Sequence, residues 1–326
     1  MKVSVVTPNY NGLKFFKPYF ESLAIQNSFI EEIIIVDNGS TDGSIEFLHD
    51  LADSNYPIPI RIIENDDNLG FAPAVNQGIE LAKSEYVYSI NNDLEVEENA
   101  IESLILAMDE SITKNENPFS IQSKMIQYHN KDLIDDAGDE YNLLGWTKKL
   151  GDGQPVSRFN EKKEIFSSCA GAALYRKSVL EELGCFDDNF FAYVEDIDLS
   201  YRAQINGYRN FFNPDSIVYH YGSATSGSRY NEFKVRLAAR NNVWLVYKNQ
   251  PIPQKIINFI FLFCGFLIKY LFFVRKGFGS VYLSGLKEGL RTRNKIKKTE
   301  FKWSNWKNYF KIEWKLIKNT VNYLRK

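Results

Sequence analysis

Residues 33–53 read Ile33-Ile34-Ile35-Val36, then Asp37-Asn38-Gly39-Ser40-Thr41-Asp42, then a helical stretch from Ser44 to Asp53. Four β-branched residues stopped by turn formers describe a strand buried on both faces of a parallel sheet. A strand, a polar turn and a helix make half of a βαβ unit. Working outward, the unit repeats. Lys2 to Thr7 reads as a strand and Leu13 to Gln26 as a helix with apolar spacing at Phe16, Phe20, Leu23 and Ile25. Ile60 to Glu64 and Tyr86 to Ile90 read as strands around a helix over Ala72 to Lys83. Such alternation predicts right-handed crossovers and a doubly wound sheet. Ligands of such sheets bind beyond the carboxyl ends of the strands, so the polar clusters there are the first candidates for chemistry.

Composition agrees with a folded chain. The 326 residues hold 39 Lys+Arg, 41 Asp+Glu, 44% hydrophobic and 15% aromatic residues, which excludes disordered, collagen-like and disulfide-stapled classes. The length predicts two parts. Cys169, Cys185 and Cys264 have no CxxC spacing and lie far from the histidines, so neither a disulfide framework nor a zinc knuckle is expected, and a reducing compartment is. Met1 to Val6 reads as strand rather than an apolar signal stretch, which predicts a cytoplasmic protein. Residues 251–326 carry 17 Lys+Arg against 3 Asp+Glu, a charge of +14 that leaves −16 on residues 1–250 of a chain whose total is −2. A basic tail on an acidic body predicts an anionic counterpart: lipid head groups, nucleic acid or the protein's own acidic face.

Beyond the repeats, Phe119 to Phe166 weakens into Gly-, Asp- and Lys-containing loops, read as a hairpin insertion or an acceptor-side lobe. Order returns at Ser167 to Tyr175, where Ala170-Gly171-Ala172-Ala173 permits close backbone approach. Glu195 to Ile205 has helical spacing and stops at Asn206-Gly207; Ser216 to Tyr221 reads as a strand. Ile256 to Val274 holds 19 residues interrupted only by Asn258 and Lys269. Three placements remain open for it: a membrane span, an in-plane helix whose lysine reaches outward, or an ordinary packed helix.

Several residues could do chemistry. Asp37 ends a central strand and suits a nucleobase imide or a ribose hydroxyl, although Asp-Asn-Gly is also ordinary turn chemistry. No GxGxxG follows the first strand, so a dinucleotide fingerprint is absent. Asp93, in Asn91-Asn92-Asp93, suits a hard divalent cation that fills its remaining positions with water and phosphate; a helix N-cap is the alternative. Glu195, Asp196 and Asp198 open a helix behind an aromatic run. They either compensate the helix dipole or supply a desolvated general base. His220 sits in a strand pattern, where a packed histidine is the commoner outcome and a metal ligand the alternative.

Taken in order, these segments resemble family 2 glycosyltransferases of the GT-A fold, and within them the rhamnosyltransferase-like branch. The motifs are Val5-Val6-Thr7-Pro8-Asn9-Tyr10-Asn11, Val36 to Ser44, Asn68-Leu69-Gly70-Phe71-Ala72-Pro73-Ala74-Val75-Asn76-Gln77-Gly78, Asn91-Asn92-Asp93, and Glu195-Asp196 with Gly207-Tyr208 behind it. The resemblance implies an α/β, Rossmann-like, doubly wound and mostly parallel sheet with a helical, basic C-terminal extension. It implies a nucleotide-diphospho-sugar donor, a divalent metal (Mg²⁺ or Mn²⁺) and inversion at the anomeric carbon. Thr7, Asn9 and Asp37 match base- and ribose-pocket positions, Asn68, Gly70 and Ala74 a loop and helix start near the nucleotide, and Asn92 belongs with the motif that ends in Asp93. Asp93 matches a metal-binding carboxylate, Asp196 the catalytic base with Glu195 beside it, and His220 a downstream histidine that completes some metal sites. Asn91-Asn92 stand where many members carry acids, which leaves fewer charges for the metal.

The expected organisation is a catalytic domain over 1–250, with a nucleotide-sugar-binding half (1–118) and an acceptor half (119–250), followed by a possible membrane-associating extension over 251–326. The expected function is transfer of one sugar, rhamnose being the candidate, to a glycan or lipid-linked acceptor in surface-polysaccharide assembly at the inner face of the membrane. A processive synthase would need several spanning helices and usually a QxxRW motif, and neither is present. A catalytically inactive sugar-nucleotide or glycan-binding module is the alternative. Nucleic-acid binding through the basic tail with Trp303, Trp306 and Trp314 is not expected from an acidic body lacking a recognition motif.

Overall fold

A computed structural model describes residues 1–222 and 230–325. The repeated units form as the hydrophobic pattern predicts. Strands β1 (Val3–Asn9), β2 (Ile30–Asp37), β3 (Ile60–Glu64) and β4 (Tyr86–Ile90) are separated by helices α1 (Leu13–Ala24), α2 (Ser44–Ala52) and α3 (Phe71–Leu81). The chain continues through β5 (Leu94–Val96), α4 (Ala100–Thr113), β6 (Pro118–Gln127), β7 (Ile134–Asp136), β8 (Asp139–Tyr141), β9 (Thr147–Lys149), β10 (Lys163–Ile165) and β11 (Ala172–Arg176). Then come α5 (Lys177–Leu183), α6 (Glu195–Ile205), β12 (Arg209–His220), α7 (Glu232–Asn249), α8 (Ile252–Arg275), α9 (Gly279–Thr292) and α10 (Trp306–Leu324).

The main sheet has the order β10-β12-β6-β11-β4-β1-β2-β3, with β5 added to β12 and β7 to β6. Strands β4, β1, β2 and β3 are mutually parallel, and β11 runs antiparallel between β4 and β6. The reversal matters for the site. Ala172 at the start of β11 pairs with Ile90 at the end of β4, so the loop before β11 lies on the same edge as Asn9, Asp37 and Asp93. Val3, Val5, Ile33 and Ile35 face one apolar layer, and Val6, Ile34 and Val36 face the other, as period-2 alternation requires.

Two segments differ from the sequence reading. Pro118–Gln127 is a buried central strand rather than part of a loop region. Its polar interior hides it, because Ser120, Gln122, Ser123 and Lys124 are buried and satisfied laterally, by Ser168 and Asn210, by Asp136, by Tyr88 and Ser216, and by Val156 O and Asn160. The strand expected over Ser216 to Tyr221 extends back to Arg209, across a register shift between Asn213 and Ile217. Pro214 lies inside that shift, where a missing N–H is tolerated.

Residues 251–325 are mostly helical and fold back on the sheet-bearing part. Ile296, Tyr309, Ile312 and Leu316 share an apolar cluster with Tyr141, Phe190, Ile197 and Tyr201 of the sheet-bearing part.

Candidate active site

The edge where the parallel strands end gathers most of the residues singled out above. Asp37 closes the turn after β2 by accepting the Ser40 N–H (2.8 Å) and the Asn9 amide (2.6 Å). The Asn92 amide in turn donates to Asn9 Oδ1 at 2.5 Å. Gly12 makes room for this chain, since a Cβ there would lie 2.0 Å from Asn92 Nδ2. Asp37, Asn9 and Asn92 are therefore a buried, mutually bonded triplet, and the turn reading and the binding reading of Asp37 apply to one carboxylate with lone pairs to spare. Thr7 differs from the expectation. It is fully buried with its hydroxyl on Tyr19 (2.5 Å), so it supports the pocket from behind rather than lining it. Ala74, on the buried face of α3, likewise packs into the core, and of Asn68, Gly70 and Ala74 only Asn68, whose Oδ1 accepts Gly70 N–H at 2.9 Å, is exposed.

Asp93 and His220 meet, and the register explains why. His220 at the end of β12 pairs with Leu94 of β5, the neighbour of Asp93. His220 Nε2 lies 3.4 Å from Asp93 Oδ2, while Nδ1 lies 3.0 Å from Asp135 Oδ2. Burial would lower the imidazole pKa, but the hydrogen bonds and charges of Asp135 and Asp93 outweigh it and raise the pKa to about 9. Asp135 is lowered to about 2, because the hydrogen bond from His220 and the Lys149 ammonium overcome its burial. Sequence reading did not single out Asp135. It lies on β7, a three-residue strand within the stretch 119–166 that reads as loops.

Does this pair fit a divalent cation? Among the described residues no group of three or more His, Cys, Asp or Glu side chains is arranged to hold one. Two observations favour a site completed by substrate and water. Asp93 Oδ1 is buried without a hydrogen-bond partner, and Asp135 on Nδ1 orients the imidazole so that Nε2 faces Asp93, the arrangement by which a carboxylate positions a histidine for a metal. The residues present fit a Mg²⁺ or Mn²⁺ that takes few protein oxygens.

Glu195, Asp196 and Asp198 separate into different roles. Asp198 is buried and bonded to Arg202 (2.9 Å), Lys248 (2.9 Å) and Asn249 (2.7 Å), so it is a structural anion. Glu195 is buried with Oε2 unpartnered; burial and the charge of Asp196 push its carboxyl well above the ordinary range. Asp196 is partly open. Burial pushes its carboxyl up to about 6, the N–H groups of Ile197 (2.7 Å) and Ala170 draw it back, and the charge of Asp136 raises it. Asp136 is itself fixed by Gln122 Nε2 (2.9 Å), whose Oε1 takes the Cys169 N–H (2.7 Å). A single acidic cluster thus runs from Asp93 through His220, Asp135 and Asp136 to Asp196.

The backbone before Asp196 is strained. Phe191, Tyr193 and Val194 have φ of 63°, 69° and 73°, a region that bulky and β-branched residues avoid. One side chain holds it. Asn241 on α7, fully buried, donates from Nδ2 to the carbonyls of Phe190 (2.9 Å), Ala192 (2.9 Å) and Tyr193 (2.7 Å). On the other side the Phe191 carbonyl accepts Phe71 N (2.6 Å) and Ala72 N (3.2 Å), joining the start of α3 to the approach to α6. Gly70 is needed at this junction, with φ +98 and a built Cβ 2.7 Å from the Phe191 ring and carbonyl. Gly70→Ala should lose about 2 kcal/mol or more of stability, read as a lower urea midpoint at unchanged m-value. An unchanged midpoint would remove the close-approach argument.

With fold and geometry in view, the similarity to known proteins is consistent. The family model "Glycosyl transferase family 2" matches residues 4–184, more than half of the sequence, and the chain belongs to that family. It is 39% identical over 104 residues to the uncharacterized glycosyltransferase YibD of Escherichia coli (strain K12), covering 32% of this chain and 29% of that protein. It is 38% identical over 102 residues to the glycosyltransferase GlyG of Streptococcus pneumoniae, covering 31% and 33%. The chain therefore spans about a third or less of these two relatives. A longer match, 21% identical over 247 residues, covers 72% of this chain and 70% of the O-antigen chain rhamnosyltransferase RfbN of Salmonella typhimurium.

Two solved structures show the same fold. Staphylococcus aureus TarS 1–349 superposes with TM-score 0.53 at 18% identity, covering 85% of this chain and 74% of that one. The Pyrobaculum calidifontis mannosyltransferase PcManGT, solved with GDP-Man and Mn²⁺, superposes with TM-score 0.54 at 15% identity, covering 89% and 75%. The expected GT-A architecture, with its mostly parallel sheet and helical C-terminal region, is the one observed.

Proposed function

We propose that this chain is an inverting glycosyltransferase that moves one sugar from a nucleotide-diphosphate sugar to an alcohol of a glycan or lipid-linked glycan, with Asp196 as general base. The observation that carries the reading is the placement of Asp196: a partly open carboxylate with a raised pKa at the strand-end edge, in the cluster that ends in Asp93 and His220. In one displacement the acceptor oxygen bonds to the anomeric carbon as its proton passes to Asp196, and the bond to the departing nucleoside diphosphate breaks. Glu195 stands beside the base, its carboxyl pushed up by burial and by the charge of Asp196. Asp93 and His220 would hold the Mg²⁺ or Mn²⁺, which when bound neutralises charge on the diphosphate as a Lewis acid. Asp37 is the polar group assigned to base and ribose, with Thr7, Asn9 and Asn92 supporting it, and Asn68, Gly70 and Ala74 form the loop and helix start near the nucleotide.

The division into a catalytic part over 1–250, with donor and acceptor halves meeting near residue 118, and an extension over 251–326 belongs to the same proposal. Rhamnose is supported by the likeness to RfbN, and polysaccharide assembly by that likeness and by a 26% match over 192 residues to the poly-beta-1,6-N-acetyl-D-glucosamine synthase of Staphylococcus aureus. The proposed location is the cytoplasmic face of the membrane.

Thermal shift against dTDP-rhamnose, UDP-GlcNAc and GDP-mannose, each with Mn²⁺, tests the reading. A donor at a hundred times its Kd should stabilise the fold by about 2.7 kcal/mol. Asp93→Asn and His220→Gln should lose the Mn²⁺-dependent part of that shift. A panel in which no nucleotide sugar raises the Tm would overturn the donor assignment, and a shift indifferent to Mn²⁺ the metal assignment.

A further inference from the structure

Helix α8 is long and apolar enough to cross a membrane by composition, yet its packing argues for a different placement. One stripe of it is bound to the protein. Asn258 and Gln254 donate to Glu313 of α10 (3.0 and 2.7 Å), and Tyr201 bonds Gln254 (3.1 Å). Trp146 Nε1 donates to Gly265 O (3.0 Å), and a Cβ on Gly265 would lie 2.1 Å from Leu144 O. At 1.5 Å per residue these ties hold roughly 16 Å of helix flat along the body. The outward face is bare: Ile256 is 70% exposed, Phe259 66% and Phe263 56%.

Helix α10 carries a second exposed apolar stripe that hydropathy along the chain does not show. Trp306, Phe310, Trp314, Ile317, Val321 and Leu324 recur every three or four residues and are all exposed, while Tyr309, Ile312 and Leu316 face the core. Turning around α10 at about 100° per residue from Glu313, which touches α8, the stripe fills roughly the next 100°. Lys307, Lys318, Lys311 and Arg325 follow it. The apolar faces of α8 and α10 are thus neighbours, and the joint surface is rimmed by cations on its far side. Contiguous exposed apolar side chains rimmed by charge mark an interaction surface.

We infer that α8 and α10 together form a docking face for an anionic lipid bilayer, on which α8 lies in the plane and does not span. The inference deepens the membrane location proposed above and rests on it. Apolar side chains enter the boundary between head groups and acyl chains, tryptophans sit at the interface, and the lysine rim meets anionic head groups.

The test is co-sedimentation of the full chain, without substrates, on vesicles of phosphatidylcholine with about 30% phosphatidylglycerol. Phe310→Glu with Trp314→Glu, and separately Phe259→Glu with Phe263→Glu, should each weaken partitioning about tenfold or more while the Tm stays near that of the parent, because these side chains are exposed. Lys307→Glu with Lys311→Glu should abolish the preference for anionic over neutral vesicles, and an alkaline carbonate wash should release the bound chain. Unchanged partitioning of either aromatic pair, retention after the wash, or a lipid-free dimer broken by the same substitutions would overturn the inference. Binding is read without turnover, so a failed transferase assay leaves this result standing, and lost vesicle binding leaves the donor assay standing.

Discussion

Asp196→Asn should bind donor as the parent does and lose transfer by about 10²–10⁴-fold, the range a positioned general base supplies. The parent's rate should rise with pH through about 6 and level off above it, because the base acts only when ionised. The residual rate of the variant should be flat over the same interval. Stability should move the other way. The folded pKa of this carboxyl lies above its ordinary value, so its contribution is fully present at low pH and is lost as pH rises through about 6. The neutral Asn avoids that loss, and the variant should melt higher than the parent near pH 7.5 and equal to it near pH 4. Near-normal turnover in the variant would end the base assignment. A pH profile unchanged by the substitution would show that another group sets it.

Asn241→Ala should be the most damaging change away from the reacting groups. It strips the amide donor from three carbonyls in a segment where three residues are held at positive φ. Leaving a buried carbonyl unpaired costs about 1–3 kcal/mol, and Phe190 O keeps a second donor in Arg240 (3.1 Å), so a loss of about 3 kcal/mol is expected. Relaxation of the strained backbone moves Asp196, and a displacement near 1 Å lowers kcat by about 10²-fold. Asn241→Asp sharpens the test. It has nearly the same shape but turns an acceptor toward the three carbonyls, so it should be worse than Ala in the urea midpoint and in kcat, with KM for the donor little changed. Equal effects of Ala and Asp, or a loss confined to KM, would remove the positioning role.

The segments that declared themselves in sequence have strong local reasons to form. Ile33 to Val36 is apolar on both faces and ends in turn formers, so its burial and its end are written in the same few residues. Asp196 was recognisable because a helix start, an aromatic run and an acidic pair coincide in sequence. Pro118–Gln127 escaped because its polar interior is satisfied by partners 14 to 93 residues away, which no window of neighbours contains. Asp135 and Asn241 escaped for the same reason. An Asp in a loop-like stretch and an Asn in a helix look ordinary until β7 is laid beside β6 and α7 beside the turn before α6.

The alternation of strands and helices up to Ile90 and the two apolar layers of that part follow from local propensity and period, and the linear chain is enough to decide them. Which acid ionises, which is neutral and which is merely an ion-pair partner is decided only in three dimensions. Asp196, Glu195 and Asp198 share one helical turn, yet their acidity is set by what surrounds each of them: the Ala170 N–H and Asp136, burial beside the charge of Asp196, and Arg202 with Lys248. Electrostatic energies depend on distance and burial, and those quantities come into being only when remote parts of the chain meet.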